Sequence, residues 1–169
     1  MGEATGTFWR WSLAFYEHPG VEGACLALQD EHNQSVNLVL FCLWLAQEGH
    51  LASGEAMSQA VAIDADMAAV IDPVRTARRR LKGIAANLQD VALEDVRSRL
   101  KMVELDLEQQ SQHRLEGLIS SARSLPTSSG LAVANVQALF DAVDAPADLV
   151  GSQPITTLLA ALRTKPAPR

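Results

Sequence analysis

The chain has little of what most recognisable chemistries require. Its 169 residues include only two cysteines and four histidines. Cys25 and Cys42 lie in apolar helical patterns without C-x-x-C spacing, so they read as buried reduced thiols rather than a disulfide or a metal site. The residues three before the histidines are Phe15, Gln29, Gln47 and Gln110. Glu104 and Glu108 stand one helical turn apart, as in di-metal bundles, but the Glu-x-x-His partner that such sites need is absent. Glycine-rich phosphate loops and the G-x-S-x-G nucleophile elbow are missing too. No metal, no cofactor and no catalytic set is expected, and the balance lies against an enzyme. A net charge of -6 and a pI near 5.1 exclude a general nucleic-acid binder, because affinity for polyphosphate comes from cationic side chains. No basic segment followed by an apolar stretch and a small-residue cleavage site opens the sequence, which makes the cytoplasm the expected location.

Long hydrophobic runs are equally scarce. The longest, Leu38 to Ala46 within VNLVLFCLWLAQEGH, has nine apolar residues, whereas a membrane span needs roughly 20. Ser35 is placed to cap a helix and Gly49 to stop it, which predicts a helix over about 35–48 with apolar side chains on every face. Such a helix must be surrounded, so it is the expected centre of a bundle.

Two helices are predicted before it. Thr7 is placed to cap the first, in which Phe8, Trp11 and Phe15 share one face and Trp9, Leu13 and Tyr16 the next, until Pro19-Gly20 ends it. The second carries Val21, Ala24, Cys25 and Leu28 at helical spacing. Seven of the eight aromatics fall within the first 44 residues, which places the rigid core there. After a short helix starting near Ser53, a three-four alternation runs through Met67, Val70, Val74, Ala77, Leu81, Ile84 and Leu88. It resumes at Leu93, Val96, Leu100, Val103 and Leu107. A seam of that regularity predicts a long antiparallel helical hairpin over about 64–123, with Pro73 either starting or kinking a helix. A loop at 125–130, helices near 131–143 and 155–163, and a Pro-rich tail at 164–169 expected to be disordered complete the chain. The fold class is all-α, a helical bundle in a single domain over 1–163.

Two sets of residues are candidates for function. Five of the ten bases between 51 and 125 cluster in RTARRRLK, where Arg75, Arg78, Arg79 and Lys82 form a flank able to grip an acidic partner or to pair with Glu94, Asp95, Glu104 and Glu108 of the facing arm. Trp9, Trp11, Gln29, Asp30, Asn37 and Trp44 are candidates for a ligand pocket, although Gln29, Asp30 and Asn37 suit capping as well.

The stretch FWRWSLAFYEHPGVEGACLALQDEHNQSVNLVLFCLWLA (8–46) closely resembles the opening of a family of small bacterial proteins known as domain of unknown function 2390. DPVRTARRRLK (72–82) and ELDLEQQSQHRL (104–115) extend the likeness more loosely. The resemblance implies a bacterial, cytoplasmic, helical protein and carries no activity, cofactor or catalytic residue with it. The chain departs from the family between 50 and 70, where a tryptophan is common and here is absent. Without a catalytic set, the favoured expectation is a non-enzymatic helical adaptor or regulator, acting through a protein partner or self-association along the hairpin. The alternative is a small-molecule or lipid-binding protein with its pocket among the N-terminal aromatics.

Overall fold

The computed structural model describes residues 6–126 and 129–164, apart from the Ser129 side chain. The expected tail beyond Thr164, and Thr127 and Ser128 of the expected loop, lie outside the described residues. The fold is all-α: α1 (Thr7–Tyr16), α2 (Val21–Asp30), α3 (Val36–Gln47), α4 (Gly54–Leu88), α5 (Val91–Glu116), α6 (Ser129–Ala142) and α7 (Gln153–Leu162). A two-residue antiparallel pair, β1 (His50–Leu51) with β2 (Arg123–Ser124), is too short to leave an alternating pattern in the sequence. No helix among the described residues is long and apolar enough to cross a membrane.

α3 is the hub. Its residues from Leu38 to Ala46 are all buried, and each of the other six helices touches it. Ser35 caps it by accepting from the Leu38 N–H at 3.3 Å, and Gly49, with φ 76°, turns the chain out of it. Burying nine apolar side chains, at about 1.5–3 kcal/mol for each large one, makes this helix the main source of core stability. Asn135 of α6, fully buried, fastens the exit from α3: its amide donates to the carbonyls of Cys42 and His50 and its oxygen accepts from the Ala52 N–H. Phe8 of α1 stacks on Trp44 at 5.1 Å between ring centres, and Trp11 on Phe15 at 4.7 Å.

α1 corrects a sequence reading. Thr7 does not cap it; the Glu116 carboxylate, 109 residues away, accepts from the Thr7 N–H at 3.0 Å and the Thr7 hydroxyl at 2.6 Å. A carboxylate at a helix N-terminus meets both the unpaired N–H groups and the positive end of the dipole.

The hairpin is present with different limits. Its first arm absorbs the expected short helix, so α4 runs 35 residues, about 52 Å, from its Ser53 cap straight through Pro73. Its second arm stops at Glu116 rather than near 123, because Glu116 turns to α1 and Arg123–Ser124 pair with β1. Gln89 in the left-handed region and Asp90, capping α5 through the Ala92 and Leu93 N–H groups, make the turn. Between 72 and 103 only Ala85 is buried, so the distal half of the hairpin projects from the body.

Candidate functional site

Where the hairpin leaves the body, α1, the α2–α3 loop, α3, α4 and α5 enclose a cleft of about 470 Å³. One face of each helix supplies a wall. From α1 come Trp9, Leu13 and Tyr16, the second face read from the sequence; from α4 come Asp64, Ala68, Ile71, Asp72 and Arg75; and from α5 come Leu105, Glu108 and Gln112. These spacings of three and four are what put side chains on one side of a helix.

The floor is a closed polar chain. Ser12 donates to the Gln112 carbonyl at 2.9 Å, and the Gln112 amide donates to Asn37 at 2.9 Å. Ser12 and Gln112 are buried, so this bonding meets the cost of removing their polar atoms from water. At one edge Ser35 donates to Asp64 at 2.7 Å while its oxygen caps α3. Burial raises Asp64 above the usual carboxylate range, and the Ser35 hydroxyl offsets part of that rise. Burial also raises Glu108, against the pull of Arg75.

Each nitrogen of Arg75 has a carboxylate acceptor. Its Nη1 donates to Asp72 at 2.8 Å, its Nε to Glu104 at 3.0 Å and its Nη2 to Glu108 at 2.8 Å. Arg78 adds Nη2 to Glu104 at 3.2 Å and a closer bond from Nε to the same carboxylate. Burial works to raise Glu104, but hydrogen bonds from Arg78 and Arg75 outweigh it and hold the group below the usual carboxylate range. The charged groups on the cleft wall are therefore three carboxylates, Asp64, Asp72 and Glu108, against one guanidinium whose nitrogens all have acceptors.

The structure brings together some of the residues singled out in the sequence and separates others. Trp9, Gln29 and Asn37 line the cleft. Asp30 is half exposed and pairs with Arg79 at 3.4 Å. Trp11 donates its indole N–H to Gln47 at 3.0 Å and borders a separate, smaller hollow with His18. Trp44, 2% exposed, is core. Capping of α3 belongs to Ser35 and not to Asn37, whose oxygen goes to Gln112. Of the basic flank, Arg75 and Arg78 bond the facing arm, Arg79 reaches α2, and Lys82 is exposed. Glu94 and Asp95 pair within α5, with Arg97 and Arg99, rather than across the hairpin. Ser12, Asp64 and Gln112 were not legible as site residues, and Glu108 was legible only as a partner of the basic flank, which it is through Arg75; the signal for Asp64 was its position four, seven, eight and eleven residues before Ala68, Ile71, Asp72 and Arg75.

Cys25 and Cys42 are free and buried. Burial pushes the Cys25 thiol up to about 11 and raises Cys42 further, which disfavours the nucleophilic thiolate. Among the described residues no group of three His, Cys, Asp or Glu side chains is arranged to hold a metal ion.

Residues 7–115 match a family model described as "Protein of unknown function (DUF2390)", in agreement with the resemblance carried by residues 8–46. No curated protein and no solved structure matches the chain. The cleft wall, from Trp9 to Gln112, falls wholly inside the matched segment, whereas α6 and α7 lie outside it.

Proposed function

The chain belongs to the DUF2390 family, proteins of unknown function, and from that premise we propose that the cleft is a receptor site for a small organic cation. The observation that carries this is the charge arrangement on the wall. Every nitrogen of Arg75 is already bonded to a carboxylate, so its charge is balanced within the protein, while Asp64 holds a desolvated carboxylate matched by one hydroxyl and by no guanidinium within bonding distance. An ammonium or guanidinium head would supply the missing positive charge and use the aromatic faces of Trp9 and Tyr16 on the same wall. The remaining amides and the Ser12–Gln112–Asn37 floor suit a ligand with polar substituents.

The test is a titration read by tryptophan emission and melting temperature, using choline and spermidine against 3,3-dimethyl-1-butanol, the neutral isostere of choline, and acetate. The cations should raise the melting temperature, and choline should bind at least about fivefold more tightly than its isostere, as a cation–π contact worth about 1 kcal/mol implies. Asp64→Asn keeps an acceptor for Ser35 and should abolish the difference. Equal binding of choline and the isostere would reject the cation assignment; silence across the whole panel would reject the cleft as a receptor.

Contact with another protein through the basic flank is the second reading. What the flank offers a partner is the exposed ammonium of Lys82 and the half-exposed guanidinium of Arg79.

A further inference from the structure

The face of the hairpin turned away from the cleft carries the apolar seam. On α4 the line of contact with α5 runs through Ile71, Arg78 and Ala85, and on α5 through Arg97, Glu104 and Ser111, each set spaced by seven. Cleft residues such as Asp72 and Arg75, or Glu108 and Gln112, lie to one side of that line. At 100° per residue, Val70, Ala77, Ile84 and Leu88 of α4 and Val103 of α5 lie to the other side and are exposed, with Val74, Leu81 and Val96 half-buried between them and the contact line. Val70 is 51% exposed, Ile84 47%, Leu88 65% and Val103 46%. A two-helix layer with one apolar face calls for a second layer.

The order of residues along this face is self-complementary. Folding α4 back on a second α4, antiparallel about Ala77, sets Val70 against Ile84 and brings Val74 and Leu81, and Met67 and Leu88, within one residue of facing each other. The small side chain of Ala77 permits close approach at the centre. The outer flank of α5 carries Arg99 and Asp106, both exposed and seven residues apart. An antiparallel copy centred near Val103 sets each of them against the other. The two centres lie at the same height, since Arg78 and Glu104, next to Ala77 and Val103, are bonded across the hairpin. We propose that the occupant of this face is a second copy of the chain, joined through a two-fold axis crossing α4 at Ala77 and α5 at Val103 to form a four-helix bundle of two hairpins. A two-fold contact requires that each residue and its partner exchange places, as Arg99 and Asp106 do here.

Sedimentation of the full chain across nanomolar to micromolar concentration provides the test. Wild type should dimerise, and Ile84→Glu with Val103→Glu should be monomeric with unchanged helical circular dichroism. Arg99→Asp and Asp106→Arg should each weaken association about tenfold, and the double exchange should restore it. Ala77→Cys should form a disulfide-linked dimer on mild oxidation, the chain's own two cysteines being buried. A wild type that stays monomeric throughout, or a dimer indifferent to Ile84→Glu and Val103→Glu, overturns the proposal. Charge exchange without rescue overturns the antiparallel register.

Discussion

Glu104 shows how much one side chain can decide. It is 6% exposed in the middle of α5 and accepts from both Arg75 and Arg78. A neutral amide there would leave the half-buried Arg78 guanidinium without a carboxylate partner, while Arg75 would keep Asp72 and Glu108. Glu104→Gln should therefore cost about 3 kcal/mol, read as a shift in the urea midpoint at constant slope. Replacing Arg78 and Glu104 together by apolar residues of similar volume should cost far less, because Arg75 keeps Asp72 and Glu108 and no buried charge is left unpaired. Side chains of this kind divide into those legible in the sequence and those that are not. Ser35 was readable as a cap and Ser53 as a helix start, because a cap acts on N–H groups two or three residues away. Glu116 capping α1 and Gln112 bonding Ser12 and Asn37 join residues 75 to 109 positions apart, and no local pattern announces them.

Among the elements, α3 was the most legible and the hairpin the most instructive. Nine consecutive apolar residues admit one soluble solution, a helix enclosed on all sides. The hairpin seam was read correctly as a repeat that packs one arm on the other, and only part of it lies in that contact: Met67, Val74, Leu81, Leu93 and Leu100 are half-buried, while Val70, Ala77, Ile84, Leu88 and Val103 are exposed. Ion-paired Arg75, Arg78 and Glu104 occupy the line between the helices, while half of the seam stands open. Spacing fixes which residues share a face, but two adjacent faces differing by one residue, Val70 and Ile71 for example, are separated only by what packs on them. The distal half of the hairpin should also be the first part to open. With Ala85 the single buried residue between 72 and 103, amide exchange in the chain carrying Ile84→Glu and Val103→Glu should be faster over 74–103 than over 38–46 by two orders of magnitude or more, and mass-spectrometric exchange measures it. Equal protection of the two segments would count against a weakly supported arm.

Across the whole molecule, pH acts on the cleft and the hairpin with opposite signs. Glu104 lies below its ordinary value, so its contribution is present at neutral pH and is lost as pH falls through the carboxylate range. Asp64 lies above its ordinary value, so the folded chain holds that proton more tightly and stability falls as pH rises through the raised range. Asp64→Asn should accordingly raise the melting temperature at pH 7, with the gain vanishing as pH is lowered below about 4. A gain that persists at low pH would mean that the charge of Asp64 is not its cause. By itself the sequence determined the helical class, the enclosed central helix, its Ser35 cap and the existence of the hairpin, since each rests on periodicity or on neighbours within a few residues, and the family through the resemblance of residues 8–46. Only the tertiary structure decided that Trp9, Gln29 and Asn37 meet Asp64, Glu108 and Gln112 around one cleft, that Trp44 does not, and that Val70, Ile84, Leu88 and Val103 of the apolar seam face outward. Those outcomes depend on which helix faces are brought together across tens of residues, and that is settled by the packing of all seven helices at once.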